Sequence, residues 1–200
     1  MKKNNVLLVL GFLAFIFITP FLAAWFFVHE ENWPGMRVNR GFLFDPPVQL
    51  KKIPWKNIDG TPFLWKNTAH PWVMLYVVPK PCQETCHDLI YKLHQIQLAL
   101  NQDQDQFRRV FLFLNPPLEQ ETKEIKKNNY ARNVFFIETE KTSFLKTLEH
   151  YPGKDKIEET GAVFIVDPAQ YIVLAYNVFD AQDILKDLQR LMRAYHLGQK

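Results

Sequence analysis

The sequence contains only two cysteines among its 200 residues, and it shows no internal repeat and no low-complexity tract. A marked excess of charge is also missing. Lys2 and Lys3 account for two of the 24 basic residues, and the 22 that remain nearly balance the 21 acidic residues. Without a basic stripe, binding to nucleic acid is not expected. The length allows one membrane segment and one globular domain of ordinary size.

One long uncharged apolar run is present, from Val6 to Val28. At about 1.5 Å per residue it spans roughly 34 Å, which is enough to cross a hydrocarbon core of ~30 Å. The alternative is a cleaved secretory signal, whose apolar region is usually about 7–15 residues long and ends at small residues. Here Ala23-Ala24 is followed by Trp25-Phe26-Phe27, a poor cleavage site but a typical aromatic interface belt. We therefore predict a retained transmembrane helix over residues 6–28.

The charges that flank this run predict its orientation. Lys2 and Lys3 precede it, whereas His29, Glu30 and Glu31 follow it. By the positive-inside rule, the first five residues lie in the cytoplasm and everything after the helix lies on the other side. Both cysteines are in the exported part. In an oxidising compartment they can form a disulfide, bind a metal, or cycle between redox states.

The exported part divides into a connecting segment and a domain. Residues 29–54 are rich in Trp, Pro, Asn and Gly and are predicted to form an extended stalk, with the domain over 55–200. Asp45-Pro46-Pro47 is expected to be stiff, because each proline fixes φ and restricts the residue before it. A short β-hairpin with its turn at 58–61 is also predicted, since Asp-Gly is a strong hairpin signal.

The remaining sequence alternates between continuous apolar runs, typical of buried strands, and segments with helical spacing. The predicted strands are 72–78, 110–114, 134–137, 162–166 and 171–176, and the predicted helices are 82–100, 118–127, 142–150 and 181–195. Strand–helix alternation followed by a hairpin and a final helix is the thioredoxin-like order. We therefore predict an α/β, thioredoxin-like domain preceded by a transmembrane helix.

The two cysteines form the motif Cys82-x-x-x-Cys86 between the first core strand and the helix after it. Cys82 is predicted at the helix N-terminus, where free N–H groups and the helix dipole lower a thiol pKa below about 8.5. Cys86 lies four residues on, so the two Cα atoms are expected about 6 Å apart, within reach of a disulfide. A disulfide and a two-thiolate metal site both remain open. Because Cys86 belongs to the packed stripe, we predict Cys82 as the attacking thiol and Cys86 as its partner.

A third metal ligand is not evident. Thiolates favour soft ions such as Cu(I) or zinc, whereas a tight Cu(II) site also needs a nitrogen ligand. His150, in the loop region before the strand at 162–166, is the one histidine retained as a candidate. Position along the chain argues against the other five, which are His29, His70, His87, His94 and His196.

With these features the chain resembles the Sco/SenC family of membrane-anchored, thioredoxin-like proteins used in cytochrome c oxidase assembly. The resemblance is carried by the anchor, Asn39-x-Gly41, Pro46-Pro47, the strand followed by Cys82-x-x-x-Cys86, and Phe164-Ile165-Val166-Asp167-Pro168. Leu98-Ala99-Leu100-Asn101 with Arg108-Arg109-Val110 is similar to a divergent γ-proteobacterial subgroup. The resemblance implies a bacterial inner-membrane protein with its domain in the periplasm. It also implies a partner that is a respiratory oxidase subunit or another copper- or thiol-handling assembly factor.

The sequence departs from the Sco pattern at one position and from the thioredoxin pattern at another. The family carries a metal-binding histidine shortly before the late strand, where this chain has Glu158 or Glu159. A carboxylate is a harder ligand than imidazole, so Cu(II) binding of the Sco kind is in doubt, whereas Cu(I) held by two thiolates is compatible. Thr160-Gly161-Ala162 also replaces the proline that thioredoxins place before this strand, which counts against a general disulfide oxidoreductase.

Three hypotheses follow for the function. The first is an accessory factor for oxidase assembly that handles copper, thiols or both through Cys82 and Cys86. The second is an enzyme, a membrane-tethered thiol–disulfide oxidoreductase that acts on the cysteines of a partner. The third is a non-catalytic scaffold in which the two cysteines form a passive bridge. The first is the leading hypothesis, because it rests on the dithiol at a helix start, the export topology and the family resemblance.

Overall fold

The computed structural model describes residues 3–29, 39–51, 53–65, 72–117, 119–127, 130, 134–177 and 180–198. The chain divides into two units, Met1–Val38 and Asn39–Lys200. The first unit contains helix α1, Lys3–His29. Its stretch Val9–Phe26 has a mean hydropathy of 2.2, and is long and apolar enough to cross a membrane. The apolar helix predicted from the sequence is therefore present.

The second unit contains one mixed sheet of seven strands in the order β1-β7-β6-β3-β4-β5-β2. The strands are β1 Phe42–Gln49, β2 Lys56–Asn57, β3 Trp72–Val77, β4 Phe107–Phe113, β5 Val134–Glu138, β6 Ala162–Val166 and β7 Tyr171–Tyr176. The pairs β3–β4 and β4–β5 are parallel, and the other pairs are antiparallel. The predicted thioredoxin-like α/β fold is confirmed.

Five α-helices accompany this sheet in the described part of the chain. They are α2 Glu84–Ala99, α3 Glu119–Lys127, α4 Lys141–Thr147, α5 Ile157–Thr160 and α6 Ala181–Gly198. Short 3₁₀ helices cover Asn101–Gln106 and Lys154–Lys156. Several predicted ends shift by a few residues, as expected where apolar spacing alone marks an end. The predicted turn at 58–61 is present, because Asn57 N–H donates to the Thr61 carbonyl at 2.7 Å.

The central strands are buried on both faces, as their continuous apolar runs predict. Every residue of β3 and β6 is buried. Alternate residues of β3 enter two separate clusters, Leu75 on one face and Met74 and Tyr76 on the other. The Tyr76 cluster packs against α2, α3 and α6, and the Leu75 cluster packs against α4 and α5. These two layers fix the end of β3, from which the cysteine motif continues.

Strand β1 corrects the prediction of a stalk over residues 29–54. Phe42–Gln49 pairs antiparallel with β7, and the ladder shifts register between Leu43 and Val48, around the two prolines. Proline cannot donate to a ladder, so it is tolerated at the edge of a sheet and at bulges. A linker and an edge strand can both be extended and contain proline, so the sequence alone does not distinguish them. Residues 30–38 of the predicted stalk lie outside the described part.

A buried carboxylate holds the segment that leads into β1. Asp187 on α6 is fully buried and accepts hydrogen bonds from the backbone N–H groups of Arg40 at 2.8 Å and Gly41 at 3.1 Å. The Tyr176 hydroxyl also donates to it, at 2.8 Å. Burial, followed by the charge of Asp187, raises the pKa of Tyr176. These bonds attach the start of the domain to its last helix.

Candidate functional site

The cysteine motif lies at the carboxyl end of β3, in the middle of the sheet. Val78 N–H donates to the Leu112 carbonyl at 2.9 Å, and this bond continues the β3–β4 pairing past the end of the strand. Lys80 N–H donates to the Glu158 carbonyl at 2.9 Å. The loop is thereby fixed on both sides. Loops at the carboxyl ends of parallel strands are the usual place for a site in an open α/β sheet.

Cys82 and Cys86 form a disulfide, with their Cα atoms 5.2 Å apart. Of the alternatives left open by the sequence, this structure therefore holds the oxidised one. The two cysteines are not equivalent. Cys86 is 2% exposed and belongs to the core cluster beneath α2, whereas Cys82 is only partly buried at its edge. This asymmetry matches the packing prediction, but the assignment of Cys82 as the attacking thiol stays a prediction.

The predicted position of Cys82 at the helix terminus needs correction. Helix α2 begins at Glu84, and its N-cap is Gln83, whose side chain makes no capping hydrogen bond. Cys82 precedes the N-cap, and its own N–H donates to Glu121 Oε1 on α3 at 3.1 Å. Sequence reasoning missed Glu121, because it is 39 residues away and only the packing of α3 brings it here. The helix begins two residues later than predicted, so its dipole acts on Cys82 from farther away.

Glu158, a candidate ligand from the sequence, lies near this loop but is already bonded. Its carboxylate accepts from Asn115 Nδ2 at 3.3 Å and forms an ion pair with Lys141 Nζ. Asn115 has φ of +134°, an uncommon conformation for a residue other than glycine. Lys141 and Glu158 are 41% and 29% exposed, so their pair contributes at most about 1 kcal/mol. Through these two interactions the side chain of Glu158 stabilises the loop.

The other candidate ligands are placed differently. Glu159 is exposed, and it lines a surface groove that Cys86 also lines. His150 is exposed just beyond α4, and it does not line that groove. His94 packs against Tyr130, and its pKa is lowered by burial and by Arg109. Neither histidine is brought to the cysteines.

Metal binding at this site is limited by its donors. Within the described ranges, no set of three His, Cys, Asp or Glu side chains is close enough together to hold a metal ion. The donors that the geometry brings together are the two sulfurs, which become available after reduction of the disulfide. Two thiolates fit Cu(I), whereas the hard oxygen of a carboxylate does not replace the imidazole that a Cu(II) site needs.

An open groove of about 460 Å³ lies on one side of the disulfide. We use "open groove" for the surface formed by Cys86 and its neighbours on α2, by the loop before α2, and by the end of α5. Its lining includes Pro79, Pro81, Gln83, Thr85, Cys86, Asp88, Leu89, Lys92, Glu159, Thr160 and Asn177. Its size falls within the roughly 300–1,000 Å³ that is typical of ligand sites.

The other side of the motif is closed. We use "closed flank" for the surface where Lys80, Asn115, Pro117, Glu121 and Glu158 meet, which leaves a space of about 10 Å³. A single water needs roughly 10–15 Å³, so this space holds nothing larger than a water molecule. At this surface Glu121 accepts a hydrogen bond from Cys82 N–H, and Glu158 accepts one from Asn115.

Gly161 lies beside Pro79, which lines both surfaces, at the position where the sequence lacks the thioredoxin proline. Its φ is +71°, a conformation that favours glycine. A Cβ atom there would lie 2.9 Å from the Val77 carbonyl oxygen and 3.1 Å from Pro79 Cδ. Glycine therefore allows the segment before β6 to approach the end of β3.

The family model described as "Transmembrane-like, thioredoxin-like, C-terminal domain" matches residues 72–194. No curated protein matches the chain. Similar solved structures include BsSco, a member of the Sco family of cytochrome c oxidase assembly proteins with a disulfide switch. It has 14% identity and a TM-score of 0.53, with 76% of this chain and 96% of that chain covered.

Yeast Sco1 with copper bound has 16% identity and a TM-score of 0.54, with 72% of this chain and 91% of that chain covered. The thioredoxin domain of a thiol-disulfide oxidoreductase from Bacteroides vulgatus has 14% identity and a TM-score of 0.50, over 70% and 91%. At these identities the similarity establishes a shared fold. The resemblance to Sco proteins predicted from the sequence is confirmed at that level.

Proposed function

Because this chain belongs to the family of transmembrane-like, thioredoxin-like C-terminal domains, we propose that it is a membrane-tethered accessory factor of cytochrome c oxidase assembly. It handles thiols and Cu(I) through Cys82 and Cys86. The observation that carries the proposal is the disulfide at the carboxyl end of β3, between one partly exposed and one buried cysteine. The partner is a respiratory oxidase subunit or another assembly factor that carries cysteines.

The thiol chemistry follows from this asymmetry. A partner thiolate attacks Cys82 Sγ, the Cys82–Cys86 bond breaks, and Cys86 leaves as a thiolate. A second thiol of the partner then attacks the partner's first sulfur in the mixed disulfide, and Cys82 leaves as a thiolate. The partner is oxidised to a disulfide by two electrons, and the protein is reduced to a dithiol that takes up the two protons. The reverse sequence reduces a partner disulfide.

The reduced dithiol is also the form that accepts Cu(I) as a cargo. Two thiolates on one face of a loop–helix junction are soft donors, and they need no third ligand to hold a soft monovalent ion. Transfer to or from a partner then requires only exchange of thiolate ligands. Glu158, Glu159 and His150 are not required as ligands in this proposal.

Membrane attachment and orientation also belong to the proposal. Helix α1 is the anchor, and Lys2 and Lys3 before it favour a cytoplasmic N-terminus. The domain then lies in the periplasm, on the outer side of a bacterial inner membrane. That compartment allows the Cys82–Cys86 disulfide to form.

The test is a competition between a Cu(I) chelator and the reduced, full-length protein in detergent. We expect one Cu(I) per chain, with binding lost in Cys82→Ser and in Cys86→Ser but kept in His150→Ala and Glu159→Gln. Weak binding that persists in both serine variants would overturn the copper assignment. Loss of binding in His150→Ala would instead show a third ligand.

A second candidate function is a thiol–disulfide oxidoreductase without copper. The open groove beside the disulfide favours it, because a protein substrate needs space next to the reacting sulfurs. In this case the protein exchanges thiols with its partner but releases Cu(I) readily to the chelator. If the double variant Cys82→Ala/Cys86→Ala supported full oxidase assembly in cells, both functions would fail and a scaffold would remain.

A further inference from the structure

We propose that the open groove takes an extended segment of a thiol-bearing partner protein, and that Glu159 selects segments with a Lys or Arg next to the reacting cysteine. This inference rests on the thiol exchange of the proposed function and names the class of its partner. Three observations carry it. They are the position of the groove, the polar side chains that line it, and its charge.

The first observation is the position of the groove, which is on the side of the disulfide opposite the closed flank. On the closed flank Glu121 and Glu158 accept hydrogen bonds, and a space of only about 10 Å³ remains there. The open groove has about 460 Å³, and its lining includes Cys86 together with Pro81 and Gln83, the two chain neighbours of Cys82. A chain segment that brings a thiol to the disulfide therefore lies along the open groove.

The lining suits a peptide backbone. Pro79, Pro81 and Leu89 provide apolar contacts at the groove. Gln83 and Thr85 are exposed beside them, and in the part of the chain that the structure describes no hydrogen bond involves either side chain. An extended segment has free N–H and C=O groups along its length, which such side chains can bond.

Among the residues that the structure describes, three charged side chains line the groove. Asp88 and Lys92 form an ion pair at 2.8 Å on α2, and their charges cancel. Glu159 also lines the groove, and no ion pair with it occurs among the described residues. The groove therefore has one uncompensated negative charge beside the cysteines. A cationic side chain of the partner is attracted there, and an anionic thiol compound is repelled.

The test uses three peptides of equal length with one cysteine each, flanked by lysine, glutamine or glutamate. The full-length oxidised protein in detergent is mixed with each peptide, and the rate of mixed-disulfide formation is measured by mass spectrometry. We expect the lysine peptide to react about three to five times faster than the glutamate peptide at low salt, since exposed charges have modest effects. At 0.5 M salt the ratio should approach one.

Variants then locate the selectivity. Glu159→Gln should remove the preference for lysine, and Glu159→Lys should reverse it. Glu149→Gln is the matched control, because Glu149 is exposed just beyond α4 and does not line the groove. Equal rates for all three peptides with the wild-type protein would overturn the inference. A preference that persists in Glu159→Gln would do the same.

A binding measurement separates this inference from the exchange chemistry. The same peptides with serine in place of cysteine carry a fluorophore, and their affinity is followed by anisotropy. We expect tighter binding of the lysine peptide and a loss of binding in Thr85→Phe, which fills the groove at an exposed position. If no cysteine peptide reacts but the serine peptides still bind in this order, the proposed exchange fails and the groove assignment stands. If Thr85→Phe binds like the wild type, the groove assignment fails.

Discussion

The two sides of the disulfide differ in how their polar groups are used. On the closed flank, Glu121 and Glu158 accept hydrogen bonds from Cys82 N–H and Asn115, and the surface holds the loop in place. On the open groove, Gln83 and Thr85 are exposed at the surface. The same short motif is therefore supported from one side and accessible from the other. In the proposed exchange a partner therefore approaches along the open groove, and side chains of the closed flank can be substituted without changing the lining of the groove.

The largest effect is expected from the cysteines themselves. Cys86→Ser should trap a mixed disulfide with a peptide that carries a disulfide: the Cys82 thiolate attacks one peptide sulfur, the other leaves as a thiolate, and the resolving sulfur of the protein is missing. Cys82→Ser should trap at least tenfold less, since Cys86 is 2% exposed. Mass spectrometry of the adducts measures both variants. Equal trapping by the two variants would mean that both sulfurs are reached from the groove, and the assignment of Cys82 as the attacked sulfur would be lost.

Gly161→Ala should disturb the contact between the segment before β6 and the end of β3. The new Cβ meets the Val77 carbonyl oxygen, and the positive φ adds strain, so we expect a loss of about 1–3 kcal/mol in the free energy of unfolding. Urea unfolding followed by tryptophan fluorescence measures the change.

Gly60→Ala is the control for Gly161→Ala. Gly60 also has a positive φ, of +83°, but no atom lies within 4 Å of its added Cβ. We expect a smaller loss, of about 1 kcal/mol, from backbone strain alone. Equal losses in the two variants would show that the contact with β3 is unimportant.

Glu121→Ala should weaken the closed flank. It removes the acceptor of Cys82 N–H, and we expect the free energy of unfolding to fall by about 0.5–1.5 kcal/mol. Glu124→Ala is the matched control, because it lies on the same helix and is exposed. Urea unfolding should show a loss only for Glu121→Ala. A similar loss in the control would assign the effect to the helix and not to the hydrogen bond.

Lys141→Ala should give the smallest effect. Its ion pair with Glu158 is partly exposed, so the free energy of unfolding should change by less than about 1 kcal/mol. The change should shrink further at 0.5 M salt, because salt screens the pair. Unfolding curves at two salt concentrations test this. A large, salt-independent loss would show that the Lys141 side chain supports the loop by packing.

The fold was largely predictable, because its main signals are local. Apolar runs indicated β6 and β7 with their exact ends, and the stripe along α2 indicated that Cys86 is buried. Strand β1 was missed, since two prolines in an extended segment are equally compatible with a linker. Asp187 could have been noticed, because it interrupts the apolar stripe of α6 between Ile184 and Leu188.

The surroundings of the disulfide were less predictable. The spacing of Cys82 and Cys86 predicted that their Cα atoms would be close enough for a bond, and 5.2 Å is observed. Glu121, Asn115 and Lys141 could not be found in the sequence, because they come from three separate segments that only tertiary packing brings to this loop. The spacing of residues along the chain predicts which of them share a face of one helix, but it does not predict which other segments pack against that helix.

The hydrogen bonds of Asp187 also decide where the domain can be separated from its anchor. A fragment that begins at residue 55 would lack β1 and both N–H groups that Asp187 accepts. A buried carboxylate left without such donors costs roughly 1–3 kcal/mol or more, in addition to the lost strand. The bond between Arg40 and Gly41 is a trypsin site by sequence, but its N–H is held inside this contact. A stable soluble fragment therefore begins at or before Asn39, and native trypsin treatment should spare that bond.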